Sequence, residues 1–226
     1  MRRNYWVVVA SALVIGVVTG CSDSLVAPAV APNAAPVSML MAPSGAPSLS
    51  LSGGDVANGS TTFTVGPWGG VFFVGNHAVY FPARSICDPA TSTYGEGTWD
   101  TACTPLTRSI TISAQVSTVG GGKAVDFTPE LRFVPSSSPA QWVWIFMYTP
   151  EARSASNLSP FNILFASSLG AQPENDAALD ASLRTYVDTR SGVSFRRIKH
   201  FSGYVVPAGN TCDPTTENCG SGPPAP

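Results

Sequence analysis

Charge is scarce in this chain: 12 % of its 226 residues are Asp, Glu, Lys or Arg, and the formal net charge is −2. Nucleic-acid binding needs a clustered basic face. The one tight basic group, Arg196-Arg197-Ile198-Lys199, is interrupted by an apolar residue inside an expected strand. Histidine is scarcer, with only His77 and His200, so a closed zinc site lacks convergent ligands. No phosphate-cradling glycine loop and no motif of an acyl-transfer triad is present. Few Glu and Lys stand against 20 Pro and 21 Gly, a balance that disfavours helices and favours strands and turns. No cofactor is implied.

What is present divides into an address and a body. Arg2-Arg3 form a positive n-region, and Trp6 to Val18 an apolar h-region, short for a membrane span. The run ends in Val18-Thr19-Gly20-Cys21, which resembles the lipobox of bacterial lipoproteins. That resemblance implies a signal peptide over 1–20 and a diacylated Cys21, two chains being enough for stable membrane anchoring. Ser22 stands where an Asp favours inner-membrane retention, so the expected location is extracytoplasmic and at the outer membrane. Residues 21–56 are rich in Ala, Pro, Ser and Gly without a sustained period, and are read as a disordered tether. Residues 207–226 are read as a Pro/Gly-rich tail. Setting Cys21 aside leaves two local pairs, Cys87 with Cys103 and Cys212 with Cys219, expected as disulfides in an oxidising compartment.

From Thr61 the chain alternates short β-rich runs with turn signals. Val71–Val74 and Ala78–Phe81 flank Gly75-Asn76-His77, a hairpin connection that places His77 in a solvated turn. Ser109–Val116 alternates most cleanly, with Ile110, Ile112, Ala114 and Val116 facing inward. Prolines at the ends of Val125–Pro129 and Leu131–Pro135 confine those pieces to edges or bends. Gln141–Tyr148 is nearly continuously apolar, as in a strand covered on both faces, and is too short to span a membrane. Glu174–Asp180 reads as a helical turn. Val193–Val206 reads as the closing strand, bent near Gly203. About nine strands with frequent turns indicate an all-β domain over 57–206, an antiparallel β-sandwich.

Several of these segments together resemble the ZU-five domain, named after zonula occludens and the uncoordinated-five netrin receptors. They are Gly69-Gly70 leading into Val71–Val74, Tyr80-Phe81-Pro82-Ala83, the Phe127-Thr128-Pro129 and Phe133-Val134-Pro135 pair, and His200-Phe201-Ser202-Gly203-Tyr204. The likeness covers about 61–206; the cysteine-closed loop and the polar 150–157 stretch depart from it. The resemblance implies a non-enzymatic binding or structural module with an unnamed protein partner.

It also extends to the related function-to-find domains, which cut themselves before a serine in a matching strand, and nucleoporin autoproteolysis uses a His-Phe-Ser sequence too. Carried over, it implies attack of the Ser202 hydroxyl on the Phe201 carbonyl with His200 moving protons. The reading preferred from the sequence is the structural one, in which His200, Phe201 and Tyr204 close the sandwich and Ser202 sits in a bend, with no catalytic residue. Weaker readings concern Asp88, Glu96 and Asp100 as calcium ligands, and Glu174, Asp176 and Asp180 as hydrolytic acids. Tyr94 and Trp99 suggest sugar stacking, whereas Trp142 and Trp144, two residues apart, share a strand face and read as core.

Overall fold

The structure, a computed structural model, describes residues 39–41, 47–49, 51, 58–119 and 122–207. The expected signal peptide and Cys21 lie outside the described residues, as does the rest of the tail beyond residue 207. The expectation of two disulfides is narrowed accordingly. The structure shows the bond between Cys87 and Cys103. Cys212 and Cys219 both fall outside the described residues, so a bond from Cys212 to Cys219 rests on the sequence alone.

In chain order the strands are β1 (Met39–Met41), β2 (Pro47–Leu49), β3 (Gly59–Val65), β4 (Gly70–Val74), β5 (His77–Phe81) and β6 (Ile110–Val119). There follow β7 (Gly122–Thr128), β8 (Val143–Tyr148), β9 (Leu164–Ala166), β10 (Tyr186–Asp188), β11 (Val193–Ile198) and β12 (Gly203–Val206). Ten of them form two antiparallel five-stranded sheets, ordered β3-β6-β7-β12-β9 and β10-β11-β8-β5-β4. The fold is an all-β antiparallel sandwich. Glu174–Asp180 contains a short 3-10 turn, Asp176–Ala178.

Strand β6 shows why the sequence pairs as it does. Ile112, Ala114 and Val116 are buried while Thr111, Ser113 and Gln115 are exposed. On the outer face Thr62 and Thr64 of β3 meet Ser113 and Thr111, hydroxyl to hydroxyl at 3.3 and 3.4 Å, a cross-strand ladder of the kind that supports register. In β8 both faces are covered. Val143, Ile145 and Met147 enter the core between the sheets, whereas Trp144, Phe146 and Tyr148 pack on the other side with Val193 and Phe195.

Three further expectations are corrected. The closing strand is two strands: β11 ends in one sheet, and β12 begins in the other. Lys199–Ser202 cross between them, because after Ile198 pairs with Val143 the chain leaves β8 and joins β7 and β9. Gly203 suits the landing, since a Cβ there would lie 3.0 Å from the Ala166 carbonyl oxygen. The piece ending at Pro129 is an interior strand, not an edge. Pro129 falls just outside β7, so the missing N–H costs the ladder nothing. His77 is a buried first residue of β5 whose Nδ1 accepts the Tyr148 N–H at 3.0 Å; the turn is the two residues Gly75-Asn76. Within 21–56, β1 pairs with β2, and Leu49 and Leu51 are buried against the Trp144 and Phe146 cluster. That apolar sheet face needs a cover, and this segment supplies one.

Candidate functional site at the sheet-to-sheet crossover

The crossover Lys199–Ser202 alternates its side chains between two environments. Phe201, fully buried, points between the sheets, stacked on Phe127 at 4.2 Å with Phe81 and Phe133 edge-on at 5.7 and 5.1 Å. His200 and Ser202, 7 % and 5 % exposed, point the other way. The backbone is pinned by pairing with the neighbouring crossing segment. Phe133 N–H donates to Lys199 O at 2.9 Å and Phe201 N–H to Leu131 O at 2.7 Å.

A loop closed by the Cys87–Cys103 disulfide lies over His200. That bond is the first of the two pairings expected from the sequence; the second, Cys212 with Cys219, plays no part in the described site. The loop's Trp99 stacks on the His200 imidazole at 3.9 Å, and Phe165 of β9 meets the same ring edge-on at 5.1 Å. Tyr94 packs against Trp99 and its phenol donates to the Phe201 carbonyl oxygen. The loop is clamped from below by buried Arg132, whose guanidinium donates to the carbonyls of Thr98 and Thr101. The Lys199 ammonium reaches Asp100 of the loop and Asp180, at 2.7 Å each.

Within this cover the Ser202 hydroxyl lies 3.1 Å from His200 Nδ1. The Tyr204 phenol donates to the His200 carbonyl at 2.5 Å. Burial pushes the His200 pKa down to about 4; a hydrogen bond to the Phe201 backbone and the Asp176 charge oppose this, and Arg196 and Lys199 add to it. His200 is therefore neutral at neutral pH, and in the tautomer that leaves Nδ1 unprotonated the Ser202 hydroxyl donates to it. Burial, with the Glu130 charge adding, raises Tyr94 to about 12, so it stays a donor. Burial raises Tyr204 further. Asp126 is raised by its own burial, and its carboxylate comes within 3.6 Å of where a Cβ on Gly203 would sit.

The remaining sequence candidates have other partners. Asp88 pairs with Arg108 at 3.2 Å, Glu96 is exposed, and Asp100 takes Lys199. Asp176 holds Arg196, 1 % exposed, through two 2.7 Å bonds; Asp180 takes Lys199 and caps Ser182 N–H, while Glu174 is exposed. Among the described residues no three His, Cys, Asp or Glu side chains converge on a metal position. Trp144 is buried and Trp142 half-buried 5.7 Å from it, as core packing requires, with Arg197 over Trp142. Trp99 uses a ring face on His200, which a stacking sugar would need free. A pocket lined by Val65, Pro67 and Ile86 has a volume of about 10 Å³, room for a water and not for a substrate.

Sequence reasoning brought His200, Phe201 and Ser202 together but missed Tyr94 as their partner. Tyr94 and Phe201 are 107 residues apart, and the only hint was that Tyr94 sits in a glycine-bearing, disulfide-closed loop. No family model, curated protein or solved structure matches this chain.

Proposed function

We propose that this sandwich is a self-processing module that cuts its own chain between Phe201 and Ser202, within a protein exported and lipid-anchored through Cys21. One observation carries the reading: a buried Ser202 hydroxyl sits 3.1 Å from the Nδ1 of a histidine held neutral, beside the carbonyl it would attack. Nucleophile and base within hydrogen-bond reach is the arrangement that activates a serine.

The steps balance. Ser202 Oγ adds to the Phe201 carbonyl carbon as its proton passes to His200. The C–N bond of the Phe201–Ser202 peptide breaks, with His200 returning the proton to the Ser202 nitrogen, and an ester links Phe201 to Ser202 Oγ. Water hydrolyses the ester, leaving a carboxylate on Phe201 and a free amine and hydroxyl on Ser202. The test is the intact mass of the purified chain after incubation at neutral pH, beside Ser202→Ala. Two fragments from the wild type alone support the reading, and a wild-type chain that stays whole, also with hydroxylamine to capture an ester, removes it.

A second reading, that the domain is a non-enzymatic interaction or structural module of the cell envelope, is favoured by Trp68, 81 % exposed before β4, and by exposed Phe73. Crosslinking in native envelopes tests it: a partner captured by the wild type and lost in Trp68→Ala supports it, and capture unaffected by that change counts against it. Anchoring rests on the Arg2-Arg3, apolar-run and Cys21 sequence. Incorporation of a labelled fatty acid that Cys21→Ser abolishes supports it; label retained by that variant contradicts it.

A further inference from the structure

We propose that Tyr94 is a catalytic residue of this site, the oxyanion donor that holds the Phe201 carbonyl oxygen as it takes negative charge. This rests on the self-processing reading and deepens it.

The Phe201 carbonyl accepts outside the strand ladders. Its own N–H is paired with Leu131, but the carbonyl falls in the crossover before β12 begins, and the Tyr94 phenol donates to it. A donor already aimed at this oxygen is what addition of Ser202 Oγ to the adjacent carbon requires. Charge develops on that oxygen in the tetrahedral intermediate, and a fixed donor in a water-poor site stabilises it without reorganising.

The placement of Tyr94 is built and not incidental. The Cys87–Cys103 bond closes the loop, the Thr98 hydroxyl donates to Gly95 O at 2.6 Å, and Arg132 holds Thr98 O at 2.5 Å. Trp99 fixes the tyrosine ring edge-on at 4.8 Å while its own face orients the His200 base. One short loop thus supplies the oxyanion donor and positions the base. The half-buried phenol keeps its proton through the physiological range.

The experiment follows cleavage of the full chain by intact mass over time for the wild type and for Tyr94→Phe, with and without hydroxylamine. Tyr94→Phe keeps the ring against Trp99 and removes only the O–H. The expected result is a rate lower by about 100-fold or more, in hydroxylamine as well, because the first step is slowed. Tyr94→Phe cutting at the wild-type rate overturns the role of Tyr94 and leaves self-processing standing. A wild type that is never cut, even in hydroxylamine, takes both down. A fluorinated tyrosine installed at 94 retains the fold and donates more strongly. It is expected to speed the first step, and an unchanged rate counts against the proposal even if Tyr94→Phe fails to fold.

Discussion

Two sides of one tetrapeptide set the terms for this molecule. On the inner side of Lys199–Ser202, Phe201 packs against the rings of Phe81, Phe127 and Phe133. On the outer side, His200 and Ser202 are almost as well buried, yet their surroundings are aromatic rings carrying hydroxyls, Tyr94 and Tyr204, with Trp99 and Phe165. The inner side is a core. The outer side is nearly as well buried but wired with hydrogen bonds, and a buried polar cluster is where a serine and a histidine acquire unusual reactivity. Under the self-processing proposal, stability and chemistry fall to alternate residues of the same strand-like segment.

The sharpest way to break that division is Phe201→Ala. It empties the junction of three rings and is expected to destabilise the fold by about 3–5 kcal/mol, read from denaturant midpoints. A loss below about 1 kcal/mol would mean that the inner side is not the structural one.

Removing the tie of the outer side comes next. Cys87→Ser together with Cys103→Ser frees the loop, with an expected cost of about 3 kcal/mol on the loop-entropy view. Cleavage is expected to slow beyond what the stability loss explains, since Tyr94 and Trp99 lose their anchor. Unchanged cleavage in this double variant would separate the loop from the chemistry.

The smallest effect is one of pH. His200 is depressed from 6.5 to about 4 in the folded chain, so between those values the unfolded chain binds more protons. Its contribution is therefore fully present above about pH 6.5 and is lost as pH falls toward 4, a change on the order of 2–3 kcal/mol. Below that window Asp180, lowered to about 2 by the Lys199 and Ser182 hydrogen bonds despite opposing burial, continues the loss of stability. Melting temperatures from about pH 7 down to about pH 2 check this. His200→Gln should flatten the upper part of the curve, and an equally steep curve in that variant would place the titration elsewhere.

The sequence carried the inner side better than the outer. Alternation in Ile110–Val116 and the double-sided run Gln141–Tyr148 state burial directly, since each residue's face follows from its neighbours. The switch of sheets at Lys199–Ser202 is invisible to such local rules. Apolar residues on both sides of it look like one strand, and only pairing with β8 before it and β7 after it separates them. His77 eludes the sequence for a related reason: a two-residue turn leaves the third residue free to begin the next strand and be buried. Tyr94 required tertiary knowledge, because its target lies in a different element far along the chain.

The most direct measurement is N-terminal sequencing and peptide mapping of the full chain isolated from the cells that make it. Self-processing predicts a chain ending at Phe201 together with one that begins at Ser202, both absent from Ser202→Ala. Recovery only of peptides that run unbroken through Phe201-Ser202 would contradict it.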